Sequence, residues 1–197
     1  MDRNSCRAVM GALVVMIAAG CASKTEPPGP GEARGGVPDL RGQTVLVFPV
    51  QLLSGVPSGT LVDEEVAHAF RTRGASVDWV FPPEAENALG RSPGVQSRTQ
   101  GLPVNVFLQA EVQRIGDPLF GDVHRLATLV GADVALLPVQ LAFGEAGAYH
   151  LSAALIRVRT GHVLWFGVVE GAEGEPGDLA ALASVAEALA RALLPMG

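Results

Sequence analysis

The chain is poor in cysteine and in positive charge, and each shortage rules out a class of chemistry. Only Cys6 and Cys21 occur among 197 residues. Lysine and arginine together number 14 against 20 acidic residues, a formal net charge of −6, and the arginines stand singly or in pairs. A polyanion partner needs a basic face, so no nucleic-acid partner is expected. The apolar run from Ala8 to Ala19 falls short of the roughly 20 residues that a membrane-spanning helix requires.

Motifs for catalysis are missing too. The turn "GVPSGT" (55–60) joins an expected strand to an expected helix, a place where helix amides can hold phosphate. It has no P-loop lysine, and Asp63, Glu64 and Glu65 follow it closely enough to repel an anion. Ser58 sits in Gly-Val-Pro-Ser-Gly rather than the Gly-x-Ser-x-Gly of a nucleophile elbow. Glu65 and His68 form one Glu-x-x-His, where a di-iron bundle needs two such pairs and two further glutamates. His150 and His162 are expected at opposite ends of a hairpin, too far apart to share a proton or a metal, and His124 has no evident partner. Trp79, Trp165 and Tyr149 are expected to pack in the core. No catalytic residue, cofactor site or metal site is expected, and the chain reads as a non-enzyme.

The amino terminus carries an address. Arg3 and Arg7 precede the apolar run, and Ile17, Ala18, Ala19, Gly20 and Cys21 follow in the order of a lipobox. This segment resembles the export signal of bacterial lipoproteins. The resemblance implies that residues 1–20 are a signal peptide, that Cys21 carries acyl chains, and that Ala22 after it directs the protein to the outer membrane, facing the periplasm. Cys6 would leave with the signal, so no free thiol or disulfide would remain. Residues 21–42 hold four prolines and five glycines and are expected to be a flexible tether, long enough to hold a domain clear of the lipid headgroups.

Residues 43–197 fit one α/β domain. "QTVLVFPVQ" (43–51) reads as a buried strand. Val62, Val66, Ala69 and Phe70 mark one face of a helix over 60–73 capped by Thr60 and closed by Gly74, and "ASVDWVF" (75–81) reads as a second strand parallel to the first. Prolines 82, 83, 93 and 103 break up the segment 82–116, in which "VNVFLQAEVQRI" fits a strand and a helix equally well. Irregular segments on rigid scaffolds often bind partners, so the contact surface is placed there, with 91–101 expected to be dispensable for folding. A helix capped by Asp117 should run from Pro118 to Val130. Three strands should follow, over 132–143, 148–159 and 162–171. Pairing Arg159 with His162 would set Ile156 opposite Trp165 and Leu155 opposite Phe166. Both faces of that hairpin are apolar, which calls for helices on both sides of a mixed sheet of about five strands. Pro138 should mark an edge or a bulge. Asp178 should cap a last helix to Leu193, with Glu187 and Arg191 as its charged pair.

"GADVALLPVQ" and "IRVRTGHVLWFGVVEG", after the first strand "TVLVFPV", resemble the periplasmic α/β domain of CsgG-like curli-secretion lipoproteins and the TolB amino-terminal domain. The matching positions are Gly131, Ala132 and Asp133, then Thr160, Gly161, Val163, Leu164 and Trp165. The resemblance implies an envelope accessory, assembly or secretion component that works through a protein partner. The alternatives are a homo-oligomeric secretion ring component and a periplasmic hydrolase or ligand-binding enzyme whose Asp, Glu or His residues only the fold brings together. If Cys21 is the anchor, Cys21→Ala should leave the domain folded but move the protein from the membrane to the soluble fraction, as read by immunoblot of fractionated cells.

Overall fold

A computed structural model describes residues 27–56 and 58–194. Its elements are β1 (Ala33–Gly35), β2 (Thr44–Val47), β3 (Leu52–Ser54), α1 (Gly59–Arg73), β4 (Asp78–Val80), α2 (Pro82–Gly90), α3 (Val106–Gln109), α4 (Leu119–Val130), β5 (Val134–Phe143), β6 (Ala148–Arg157), β7 (His162–Glu173) and α5 (Leu179–Leu193). They form a mixed sheet ordered β1-β7-β6-β5-β2-β4, with β3 pairing β5 beyond the end of β2. The sheet has seven strands where about five were expected. The extra two are three-residue strands, β1 and β3, too short to leave a periodicity in the sequence.

The two-sided apolar pattern of β5 to β7 has the expected consequence. Leu136, Leu151, Ala153, Leu155 and Trp165 lie in one core with Val66 and Phe70 of α1 and with Leu182, Val185 and Leu189 of α5. Ala135, Leu137, Ala154, Ile156 and Phe166 lie in a second core with Ala85 of α2, Phe107 of α3, and Val123 and Leu126 of α4. Burying apolar side chains at about 25 cal/mol per Å² makes these two layers the main source of stability.

The hairpin register differs from the expected one. Arg157 pairs with His162 and Leu155 with Trp165, across a bulge between Leu155 and Ile156. The turn runs over Val158–Gly161 and is closed by Gly161 N–H donating to Arg157 O, while Val158 N–H, facing away from β7, donates to Asp133 O and extends the β5–β6 pairing. A shift of one residue moves a side chain across the sheet. Trp165 therefore joins Leu155 on the α1/α5 side, and Phe166 joins Ile156 on the other. Pro138 lies at a bulge, as expected, although on an interior strand. Its missing N–H faces the corner between β2 and β3, where the chain bows away and only Pro138 O is used, by Gln51 N–H.

Helix boundaries follow the sequence closely. α4 ends at Gly131 in the left-handed region (φ 72°), and the Asp117 carboxylate accepts from Gly121 N–H at 3.0 Å. Asp178 caps α5 by accepting from Ala180 N–H. Ser58, not Thr60, occupies the position before α1, and its side chain makes no capping bond. Glu187 pairs with Arg73 of α1 rather than with Arg191, so the charge ties two helices instead of stiffening one. The ordered chain also reaches into the expected tether. Gly31 N–H donates to Val168 O, Val168 N–H donates to Glu32 O, β1 adds to the edge of β7, and Leu40 is buried. Pro27–Gly42 has little apolar content of its own and folds by borrowing an edge that β7 leaves open.

α5 approaches β7 most closely at Gly171, where a Cβ would lie 2.7 Å from Ser184 Oγ and 3.0 Å from Val185 N. Ser184 Oγ there accepts from Ala172 N–H and donates to Ala181 O. Gly171→Ala should cost about 1–3 kcal/mol by forcing helix and sheet apart, measured as a lower urea midpoint with an unchanged m-value.

Candidate functional site

In an open sheet with parallel strands, the crevice beyond the carboxyl ends of those strands is where the backbone leaves room for a ligand. β2 and β4 are parallel and pair through Thr44 with Asp78 and Leu46 with Val80. Beyond their carboxyl ends, α1, α2 and the Pro49–Val50 corner enclose a cleft of about 580 Å³. Its polar wall is Thr60, Asp63 and Glu64 of α1, Glu86 of α2, and Gln100, while Leu53 and Phe81 supply apolar surface.

Each wall is held by a separate contact. Asp63 Oδ1 accepts from Val50 N–H at 2.9 Å, fixing the start of α1 to the end of β2. Gln51 is buried and uses its whole amide: Nε2 donates to Pro49 O at 2.7 Å and to Thr99 O at 2.9 Å, and Oε1 accepts from Leu102 N–H at 2.9 Å. Gln100 Nε2 donates to Val50 O at 2.8 Å, and Thr99 Oγ1 donates to Glu86 Oε1 at 3.2 Å. The Arg71 guanidinium lies 4.3 Å over the Phe81 ring, with Glu84 at 3.8 Å. Behind this wall Asp122 of α4, almost wholly buried, pairs with Arg125 at 2.7 Å and Arg98 at 3.5 Å and anchors Ser97 through its backbone oxygen.

These contacts change the expectation for 91–101. The stretch supplies Thr99 and Gln100, and its removal would strand the buried amide of Gln51. An unpaired buried polar group costs about 1–3 kcal/mol, so the deletion would damage the fold as well as any surface. Contacts of this kind leave no mark in a single sequence, because they join residues about 50 positions apart. The place of the cleft itself follows from the parallel strand pair.

Three carboxylates and one guanidinium give the cleft an acidic bias that suits a cationic group and opposes an anion. Burial pushes the Asp63 carboxyl up from 3.8 to about 6; its bond from Val50 N–H works against the rise, and the charge of Glu86 adds to it. The other candidates stay apart from this site. Glu65 is half-buried on α1 and His68 is exposed. His124 stacks on Phe120 at 5.4 Å, with Nδ1 3.3 Å from Val158 O. His150 pairs across the ladder with Glu170 and His162 with Arg157, at opposite ends of β6 and β7. Trp79 packs edge-on against Phe70 and donates to Gly74 O, while Tyr149 is buried and its hydroxyl accepts from Gly177 N–H. Cys21 and the lipobox lie outside the described residues. Among the described residues, no three His, Cys, Asp or Glu side chains gather to hold a metal ion, and no helix is long and apolar enough to cross a membrane.

The chain matches no family model and no curated protein. Among solved structures it is similar to the LpoB C-terminal domain from Salmonella enterica, at 19% identity and a TM-score of 0.47 over 68% of this chain and 84% of that one. A PelC dodecamer variant from Paraburkholderia phytofirmans is similar at 16% identity and a TM-score of 0.48, over 83% of this chain and 96% of that one. Lipoprotein GNA1162 from Neisseria meningitidis is similar at 16% identity and a TM-score of 0.41, over 69% and 84%. The resemblance to curli-secretion lipoproteins and to TolB has no counterpart among these three.

Asp63 should make stability depend on pH. Between its unfolded value near 3.8 and its folded value of about 6, the native chain keeps a proton that the unfolded chain releases. Its contribution is therefore full below pH 3.8 and is lost as pH rises through 6. Allowing for partial exposure, the loss should be about 1–2 kcal/mol. Urea titrations at pH 4.5 and pH 7 should show it for the native chain and not for Asp63→Asn.

Proposed function

We propose that this chain is a lipoprotein anchored through acylated Cys21 in the outer membrane, whose domain acts as an envelope accessory by binding a partner protein. The single observation that supports this most is the cleft beyond β2 and β4. It is acidic, it is walled by a hydrogen-bonded frame rather than by mobile side chains, and Leu53 on its rim is 42% exposed. An apolar anchor beside an oriented charge pattern is what a protein contact uses: the first contributes affinity, the second registers the partner. The partner presents a basic segment, because Asp63, Glu64 and Glu86 oppose an acidic one.

A small cationic ligand in the same cleft is the alternative that the half-buried Asp63 favours, with a carboxyl able to exchange a proton near pH 6. Affinity capture of the intact protein from detergent-solubilised envelopes distinguishes the two. The native chain should retain one partner in stoichiometric amount, and Glu64→Lys with Glu86→Lys should lower that capture at least tenfold while leaving the circular-dichroism melt within a few degrees. Capture insensitive to the double reversal would displace the partner from the cleft. A monomer that captures nothing would turn the reading to the small ligand, and a large uniform homo-oligomer would turn it to a ring.

A further inference from the structure

β3 is a strand with one partner. It pairs with β5 alone, Leu52 beside Gln140 and Ser54 beside Ala142, on the same side of β5 that β2 occupies earlier along that strand. β4 flanks β2 on its other side but stops at Val80, where Pro82 and Pro83 open α2. Among the described residues, the row that β4 fills beside β2 is therefore empty beside β3.

The backbone at that edge is unpaired. Successive residues of a strand turn their N–H and C=O groups to opposite neighbours. Gln51 N–H donates to Pro138 O on β5, so Leu53, in phase with it, also faces β5, while Val50 and Leu52 face the empty row. Side chains take up both outward groups of Val50: Asp63 Oδ1 accepts from its N–H at 2.9 Å, and Gln100 Nε2 donates to its oxygen at 2.8 Å. Among the described residues, nothing does the same for Leu52. A strand edge that offers a donor and an acceptor is a template for another extended chain.

The empty row leads into the cleft. Past Val50 it runs between Asp63 and Glu64 of α1, which covers one face of the sheet, and Glu86 of α2, which covers the other. Leu53, 42% exposed, borders the same space. Three residues laid along β3 span about 10 Å, and the residues next to them reach the carboxylates. Side chains of a strand alternate between faces, so neighbouring residues at that end meet the acids of α1 and the acid of α2 in turn.

Resting on the reading of the cleft as a site for a basic partner, we propose that the partner enters as an extended segment that adds a strand to the free edge of β3. It delivers two adjacent lysine or arginine side chains, one to Asp63 and Glu64 and the other to Glu86. Main-chain bonds to Leu52 contribute affinity, and the charges decide which segment is accepted.

Hydrogen exchange read by NMR on the isotope-labelled, intact protein in neutral detergent micelles tests this at single amides. The probe is the peptide acetyl-Val-Lys-Lys-Val-Lys-Lys-Val-amide, beside a form N-methylated at every residue, which keeps the charge and cannot donate to a strand. In the free protein Leu52 N–H should exchange at least tenfold faster than Leu53 N–H; equal protection in dilute protein would overturn the open edge. Saturating peptide should slow Leu52 at least tenfold and leave Leu53 unchanged, and the methylated form should not. Binding of both forms with Leu52 unprotected would overturn the added strand and leave the cleft as a basic partner's site. Protection that survives Glu64→Lys with Glu86→Lys would overturn the basic occupant and the reading of the cleft with it. Protection without peptide that grows with protein concentration would assign the edge to a second copy and overturn the partner segment. Binding of neither form at millimolar peptide would overturn the strand proposal, while capture from envelopes that is lost on the double reversal would still uphold the cleft.

Discussion

Strands β5, β6 and β7 place apolar side chains on both sides of one sheet, and a sheet of that kind cannot meet water on either face. Everything else in the domain answers this requirement. α1 and α5 cover one face, α2, α3 and α4 cover the other, and the parallel strands β2 and β4 extend the sheet to the point where α1 begins. The cleft exists because this covering is finite. At the carboxyl ends of β2 and β4 the backbone turns into α1 and α2, and the gap between the helices is closed by amides and carboxylates instead of apolar side chains.

The polar frame around the cleft is more than a rim. Gln51 and Asp122 hold the stretch between α2 and α3 without regular secondary structure, through Thr99, Leu102, Ser97 and Arg98, while Asp63 ties the start of α1 to Val50. In a low-dielectric setting such bonds are costly to leave unmade, so the frame orders the loop as firmly as a helix would. A surface built this way is already arranged before anything binds, and less ordering is required on association.

Much of the architecture was legible in the sequence. Asp178, Gly131 and the Val62–Phe70 stripe mark helices that the structure places within a residue or two, and the double apolar faces of β6 and β7 imply the two helical layers. What was not legible depends on contacts across the fold. The bulge at Leu155 and the four-residue turn closed by Gly161 on Arg157 shift the register, and so the partner of Trp165 cannot be read from the Thr160-Gly161 pair alone. β1 is invisible in a Pro/Gly-rich stretch because its pairing is supplied by β7. The expected contact surface, 82–116, supplies Glu86 and Gln100 to the cleft but not its α1 wall, and Gln51, Thr99 and Gln100 carry no local signal of their role.

The swap of Trp165 across the sheet also decides what light can report about this molecule. Trp165, Trp79 and the lone tyrosine, Tyr149, all lie in the α1/α5 layer, while the opposite layer contains only phenylalanines among its aromatics. Intrinsic fluorescence and near-ultraviolet dichroism therefore watch one side of the sheet. Loosening confined to α2, α3 and α4, the side that carries part of the cleft, would leave both signals almost unchanged.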